Sequence, residues 1–293
     1  MTGVGWALLA AVGFGITQII NRKANQRLDA FRTAFLMLVA VELVLVVRAA
    51  ITGELVDLER APLWAAAVFA AATLLHFGAG WTLLAASQQR VGVARTGALV
   101  STAPLLGAVM AALFLDEPMT PAIVLGVLLV VIGVAVLSLS TATKTENRRW
   151  TKPWFGLAVG LIWGSTPSLI RLGLSGFDAP VLGLTIGLGL SLVIQGLVLT
   201  VAGAWRRSPI ARQTYLWMAA GGVTGAVGIT AQWISFDETT IAIAISLQQL
   251  SVLVVLALVP LTFREPIEQI TGPLVAGVGA VLAGTLLVVL TGA

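Results

Sequence analysis

The sequence predicts an all-α membrane protein of ten transmembrane helices arranged as two inverted five-helix repeats. Composition is the first ground for this. Of 293 residues, 58% are hydrophobic and 10% charged, with a mean hydropathy of +1.00, a balance that would cover a soluble domain in apolar patches. Distribution is the second: stretches of about 20 apolar residues, long enough to cross a bilayer as a helix, recur along the whole chain. An internal likeness between the two halves is the third, and its five-helix period turns the second half upside down.

Helix 1 (4–21) has no basic residue ahead of it and no small-residue cleavage site followed by a soluble domain, so it is expected to be a retained span. Its Gln18 and Asn21 could offer donors and acceptors to a zwitterion's ammonium and carboxylate, or serve as interhelical glue. Helix 2 (30–51) carries the one acid deep in a span, Glu42, among valines and leucines. A charged carboxylate there costs at least ~2.5 kcal/mol, so Glu42 is expected to be protonated or paired, as a proton carrier for antiport or as a structural hydrogen bond. Helix 3 (62–86) holds the only histidine, His76, with Thr73, Phe77 and Gly80 on one face by their i, i+3, i+4, i+7 spacing. An ionisable group at membrane depth is a candidate for substrate or proton binding, against the reading of a satisfied packing residue.

Helix 4 (92–115) has Pro104 after Ser101 and Thr102, which predicts a kink. Helix 5 (120–139) is a plain apolar span. Helix 6 (154–172) places Trp163 in mid-helix, four residues before Pro167 and beside Gly160 and Gly164. Proline frees a backbone carbonyl and kinks the helix, so this is either a broken gate with an aromatic wall or a large residue packed on glycines. Kinked helices 4 and 6 together make a hinge, with Pro104, Pro167 and Gly164 at its bends. Helix 7 (180–202) is apolar. Helix 8 (215–236) and helix 9 (240–262) contribute Gln232, Gln248 and Gln249. The last two point about 100° apart on a helix, so at least one is expected to be structural. Helix 10 (269–290) completes the set and leaves no room for a soluble domain.

Trp6, Trp64, Trp150, Trp154, Trp205, Tyr215 and Trp217 fall near predicted span ends, at the level where amphipathic rings settle. The net charge of +4 resides in connecting loops, as orientation signals and headgroup contacts, and does not point to nucleic acid. Loops 1–2, 3–4, 5–6, 7–8 and 9–10 are basic (Arg22, Lys23, Arg27, Arg32, Arg90, Lys144, Arg148, Arg149, Lys152, Arg206, Arg207, Arg212, Arg264). The alternate loops are acidic (Glu54, Asp57, Glu59, Asp116, Glu117, Asp178, Asp237, Glu238), apart from Arg48, Arg60 and Arg171. The positive-inside rule therefore puts the first set in the cytoplasm and both termini outside, in the periplasm of a bacterial-type inner membrane. With no cysteine and one histidine, neither disulfides nor metal sites of the His and Cys type are expected, and no cofactor.

Gly13-Phe14-Gly15-Ile16-Thr17 lines up with Ile162-Trp163-Gly164-Ser165-Thr166, Arg22 with Arg171, and Leu115-Asp116-Glu117-Pro118 with Phe263-Arg264-Glu265-Pro266, at nearly one offset. The repeats are placed at 1–147 and 148–293. Equivalent loops carry opposite character, as inversion requires: loop 1–2 is basic where loop 6–7 is nearly neutral, and loop 2–3 acidic where loop 7–8 is basic. Inverted repeats give two nearly equivalent conformations about a midplane site, the architecture of alternating access.

At these residues the chain resembles the drug/metabolite transporter superfamily, in particular its ten-helix EamA-type members. The marks are Trp163-Gly164-Ser165 in helix 6, its weaker partner Phe14-Gly15 in helix 1, and the Glu117-Pro118 and Glu265-Pro266 pairs closing helices 4 and 9. Within the superfamily the chain is most similar to YddG-type amino-acid exporters. The resemblance implies export of neutral and aromatic amino acids through a cavity lined by helices 1, 3, 4, 6, 8 and 9, buttressed by helices 5 and 10. On their chemistry and their places in the spans, Trp163, His76, Thr73, Phe77, Phe14, Gln18, Ser101, Gln232, Gln248 and Gln249 are the candidate substrate-binding residues, and His76 and Glu42 the candidates for proton coupling. With helix 2 away from the cavity, the structural reading of Glu42 is favoured. Family members are described with cytoplasmic termini, against the loop charges here.

Departures from relatives narrow the substrate. The four-helix multidrug branch relies on a glutamate in its first helix, where Val12, Gly13, Phe14 and Gly15 stand here. Sugar-phosphate relatives need basic cavity residues, and only Arg95 lies inside a span on its own. A neutral or zwitterionic substrate and a functional monomer are expected, with other metabolites or drugs as the alternative cargo. An intramembrane serine protease using His76 as base would need a partner serine, which no motif supplies. A channel would show conductance far above carrier turnover.

Overall fold

The structure, a computed structural model, describes residues 1–25, 30–140, 152–203, 212–263 and 271–292. These residues form ten long helical segments: α1 Gly3–Asn25, α2 Ala30–Thr52, α3 Leu63–Val91, α4 93–114, α5 Pro121–Ser140, α6 Trp154–Leu174, α7 Pro180–Val201, α8 Arg212–Glu238, α9 241–263 and α10 Gly272–Gly292. Nine of them are long and apolar enough to cross a membrane. The tenth, α8, has the length, at 27 residues. Its buried glycines, Gly221, Gly222, Gly225 and Gly228, and its Gln232 dilute its hydropathy because that face is spent on contact with neighbouring helices rather than lipid. A short 3-10 helix, Glu54–Arg60, joins α2 to α3.

Four of the ten segments are irregular, and two of them, α4 and α9, are broken at equivalent places. α3 is interrupted by a π-turn, Leu74–Ala79, in which the Gly80 amide reaches back five residues to the Leu75 carbonyl. α6 contains Pro167 in its interior. α4 is broken into Val93–Val100 and Ala103–Phe114. At the break Pro104 has no amide to bond the Val100 carbonyl, and the Ser101 and Thr102 hydroxyls bond back to the carbonyls of Ala98 (2.7 Å) and Leu99 (2.8 Å). α9 is broken into Ile241–Gln248 and Ser251–Phe263 without a proline. There the chain tightens to i−3 bonds, Leu250 to Leu247 at 3.0 Å, Val252 to Gln249 at 3.1 Å and Leu253 to Leu250 at 3.0 Å. Ser101-Thr102 and Gln249-Leu250 are separated by the same offset as Glu117-Pro118 and Glu265-Pro266.

The packing repeats when each helix is exchanged for the one five places along. α1 packs on α8 as α6 packs on α3; α1 on α9 as α6 on α4; α2 on α8 as α7 on α3. The pairs α5 with α10, α4 with α9 and α2 with α7 map onto themselves. α5 and α10 run antiparallel through matched glycines. A Cβ on Gly126 would fall 2.9 Å from the Gly284 carbonyl oxygen, and one on Gly133 2.9 Å from that of Gly277. In lipid, where apolar surface gains little by leaving the solvent, such backbone approach is what holds helices together. α5 and α10 pack on each other and on α4 and α9, outside the central six helices. The boundary between the halves expected at 147/148 lies outside the described residues.

The central helices are closed at one end and apart at the other. The second half of α4, Ala103–Phe114, packs on the first half of α9, Ile241–Gln248, with Ile245 seated on Gly107. Among the described residues, Val93–Val100 and Ser251–Phe263 have no comparable mutual packing. The closed end is the one bearing Glu117, Arg171 and the 237–240 turn.

Candidate functional site

The π-turn of α3 faces the proline bend of α6, and the two irregularities complete each other. Pro167 cannot donate to the carbonyl of Trp163, four residues earlier, so the helix bends where the indole projects. Trp163 Nε1 donates to the His76 carbonyl at 3.0 Å, a backbone acceptor inside the π-turn. The two rings stack, with centroids 5.5 Å apart and planes at 19°. Below them His76 Nδ1 is 2.8 Å from the Thr166 hydroxyl, which is fully buried on α6. The Thr166 hydroxyl thus fixes the ring's tilt, and the imidazole tautomer decides which atom donates. Phe77 stands edge-on to His76 at 4.8 Å and Trp81 edge-on to Phe77 at 6.1 Å. The result is an aromatic wall in which His76, Trp81 and Trp163 are half-buried and Phe77 and Thr166 buried, suited to a small amphipathic molecule.

Gly80 makes this arrangement possible. A Cβ there would lie 2.6 Å from Trp163 Nε1. The equivalent crossing of α1 with α8 has a different chemistry: Thr17 Oγ1 lies 2.9 Å from Thr224 Oγ1, and Phe14 packs against Gly228. The twin of the threonine–histidine contact is therefore a pair of hydroxyls, so the two halves are alike in backbone and unlike in the group they present.

The closed end is tied by Arg171, at the end of α6. Its Nε donates to the Phe236 carbonyl at 2.7 Å, Nη2 to the carbonyls of Thr239 (2.6 Å) and Asp237 (3.2 Å), and Nη1 to Glu117 Oε1 at 2.6 Å. Glu117 in turn accepts the Ile241 amide through both oxygens, at 3.0 and 2.9 Å. The cation sits on the carbonyl end of α8 and the anion on the amide end of α9, each complementing the helix dipole it meets. Burial pushes the Glu117 carboxyl above its ordinary value, while the Ile241 amide, the Arg171 guanidinium and the Ala242 amide pull it down.

Residues 1–139 match the family model of the EamA-like transporter family. These residues, just under half of the chain, are similar to an EamA-like domain. Over its whole length the chain is similar to a protein of known crystal structure, with a TM-score of 0.78 at 15% identity, covering 99% of this chain and 98% of that one. At that identity the likeness shows the fold. No curated protein is similar enough in sequence to match. The chain is thus a multi-pass membrane protein with an EamA-like first half.

The EamA-like domain supplies His76, Phe77, Trp81 and Glu117, and the rest of the chain supplies Trp163, Thr166 and Arg171. Of the residues singled out in the sequence, His76, Phe77 and Trp163 come together. Thr73, three residues from His76, is turned to α7, where its hydroxyl donates to the Gly187 carbonyl at 2.7 Å. Gln232 and Gln248 satisfy each other at 2.8 Å, and Gln248 reaches Ser235 at 3.3 Å, all three buried. Gln249 is half-buried in the α9 break, Ser101 buried in the α4 break, and Gln18 exposed on α1. Pro104, Gly164 and Pro167 are buried, Gly164 against Ala103 and Gly107 of α4. Glu42 lies at the α2–α7 interface, where a Cβ on Gly189 would meet its Oε1 at 2.9 Å, and its Oε2 is buried without a hydrogen-bond partner. The side chains of Asn21 and Arg22, and the Glu265-Pro266 pair, lie outside the described residues. Thr166 and Trp81 were not singled out. Thr166 could have been found, since it follows Trp163 by three residues and so shares its helix face.

Proposed function

We propose that this protein is a secondary transporter of the drug/metabolite type that exports small neutral or zwitterionic metabolites, amino acids with neutral or aromatic side chains first among them, by alternating access. The observation that carries this reading is the asymmetric closure of α4 and α9. Their broken halves meet at the Glu117 end and stand apart at the other, around an aromatic wall built on a π-turn and a proline bend. Discontinuous helices at equivalent positions of two inverted repeats are a feature of carriers whose substrate binds at the repeat interface. The EamA-like first half and the fold likeness support the same reading.

In mechanism, the substrate's apolar part lies against Trp163 and Phe77, and His76, held by Thr166, bonds a polar group. The halves, 1–147 and 148–293, exchange closure between the two ends, with bends at Ser101-Thr102 and Gln249-Leu250. Loop charge puts the separated end in the cytoplasm and the Glu117 end and both termini in the periplasm of an inner membrane. The protein acts as a monomer, with no cofactor.

Counterflow in proteoliposomes tests this. Vesicles loaded with unlabelled amino acid are offered labelled neutral, aromatic, acidic and basic amino acids in parallel. Transient accumulation of neutral or aromatic ones is the expected result. Silence across the panel removes amino acids as the cargo and moves the search to other metabolites and drugs.

A further inference from the structure

The Arg171–Glu117 pair has no part in the aromatic wall, yet it is the most heavily bonded polar group at the closed end. Its four anchoring elements are distinct: the end of α6, the 115–120 connection after α4, the last carbonyls of α8 and the first amide of α9. These are the elements that must separate if the packed halves of α4 and α9 are to part. A structural ion pair has no need to join all of them. One guanidinium and one carboxylate that do so act as a single fastening, whose loss frees every element together.

We propose that Arg171 and Glu117 form a latch that holds this end of the transporter shut, and that its rupture is the step that opens the pathway there. The inference rests on the alternating-access reading above. Leaving water costs both charges, and that cost is offset only when the helix ends they cap are in place to bond them, so the pair favours the closed arrangement over any partly parted one. The Arg171 side chain is 25% exposed and that of Glu117 9%, so neither is fully hydrated in the closed state. Removing one partner leaves the other charge facing helix-end groups of its own complement but without its counter-ion, which weakens the closed state relative to the open one. The latch is also sized to be reversible, since a single guanidinium and a single carboxylate make all of its bonds, at the rim of a bundle whose mid-membrane contacts are glycine-mediated.

The test uses the absence of cysteine in the chain. Ser168 is one turn inward of Arg171 on the same face of α6, is 7% exposed and has a hydroxyl without a hydrogen-bond partner, so S168C is a mild single-cysteine reporter. Full-length S168C in nanodiscs, treated with a polar maleimide, is expected to label slowly. S168C/E117Q and S168C/R171Q are expected to label about tenfold faster or more, as the population with this end open rises. S175C, exposed at the same end, labels at one rate in all backgrounds. R171K keeps the charge over the α8 carbonyls but gives up the fork, and it serves if the neutral variants do not fold; labelling faster than with Arg171 is expected. Unchanged S168C labelling in folded, monodisperse E117Q, R171Q or R171K protein overturns the latch and leaves the pair a static cap. The readout needs no substrate. A silent counterflow panel therefore counts against amino acids as the cargo, and unchanged labelling counts against the latch.

Discussion

Gly80→Ala is a one-carbon perturbation whose effect follows from distances in the structure. The added Cβ would lie 2.6 Å from Trp163 Nε1 and 3.2 Å from Cδ1, where ordinary contact begins near 3.4 Å, so the indole must withdraw by about 0.8 Å. The bond from Nε1 to the His76 carbonyl, now 3.0 Å, would then exceed hydrogen-bonding range. Leaving that acceptor unpaired costs about 1–3 kcal/mol, and overpacking of this size costs a similar amount, about 1–3 kcal/mol. The His76 carbonyl lies in the π-turn and accepts from this indole, and the His76–Trp163 stack moves with the ring, so both stability and the shape of the wall should change. Thermal unfolding of purified Gly80→Ala protein should fall below that of the wild type, and counterflow of neutral amino acids should weaken. The decisive comparison is made in a Trp163→Phe background, which lacks the crowded nitrogen. There Gly80→Ala should cost much less, a coupling of about 0.5–3 kcal/mol between the two sites. Equal loss in both backgrounds would refute the seating of Trp163 on Gly80.

His76→Ala and Trp163→Ala should each impair counterflow while leaving membrane insertion intact, measured by quantitative blotting of the membrane fraction; full transport by both would remove them from the site. Gln232→Leu or Gln248→Leu should each cost about 0.6–1.7 kcal/mol, the range for interhelical hydrogen bonds in membranes, and the double replacement less than their sum. That order of melting temperatures, with transport retained in the double variant, would mark the pair as structural. A reporter fused to the C-terminus should behave as periplasmic; strong cytoplasmic reporter activity would reverse the orientation read from loop charge.

The ten spans were legible in the sequence because membrane insertion imposes length and hydropathy on each segment separately. α8 shows the margin: its 27 residues are long enough to span, although its glycines and Gln232 depress its hydropathy. Pro104 and Pro167 announced two bends, since proline acts on its own backbone. The π-turn at Leu74–Ala79 and the break at Gln249-Leu250 carry no such local mark. The first is supported by an indole 87 residues away, and the second is visible only as the repeat partner of Ser101-Thr102.

The same contrast separates the site residues. His76 and Trp163 stood out because an imidazole or an indole in mid-membrane has no local explanation. What each touches was not legible, because partners on other helices are set by packing: Thr73 shares a helix face with His76 yet bonds the Gly187 carbonyl, whereas Thr166 meets the imidazole from 90 residues away. Arg171 was an exception to the acidic character of its side, and the structure supplies the reason. The surrounding carbonyls of α8 and the Glu117 carboxylate form an acceptor-rich recess that an arginine alone satisfies with its fork. The other two exceptions, Arg48 and Arg60, are offset locally, by Glu54 six residues on and by Asp57 three residues back, so of the three only Arg171 finds its partner 54 residues away, after another helix, which is what marks it as an interhelical fastening.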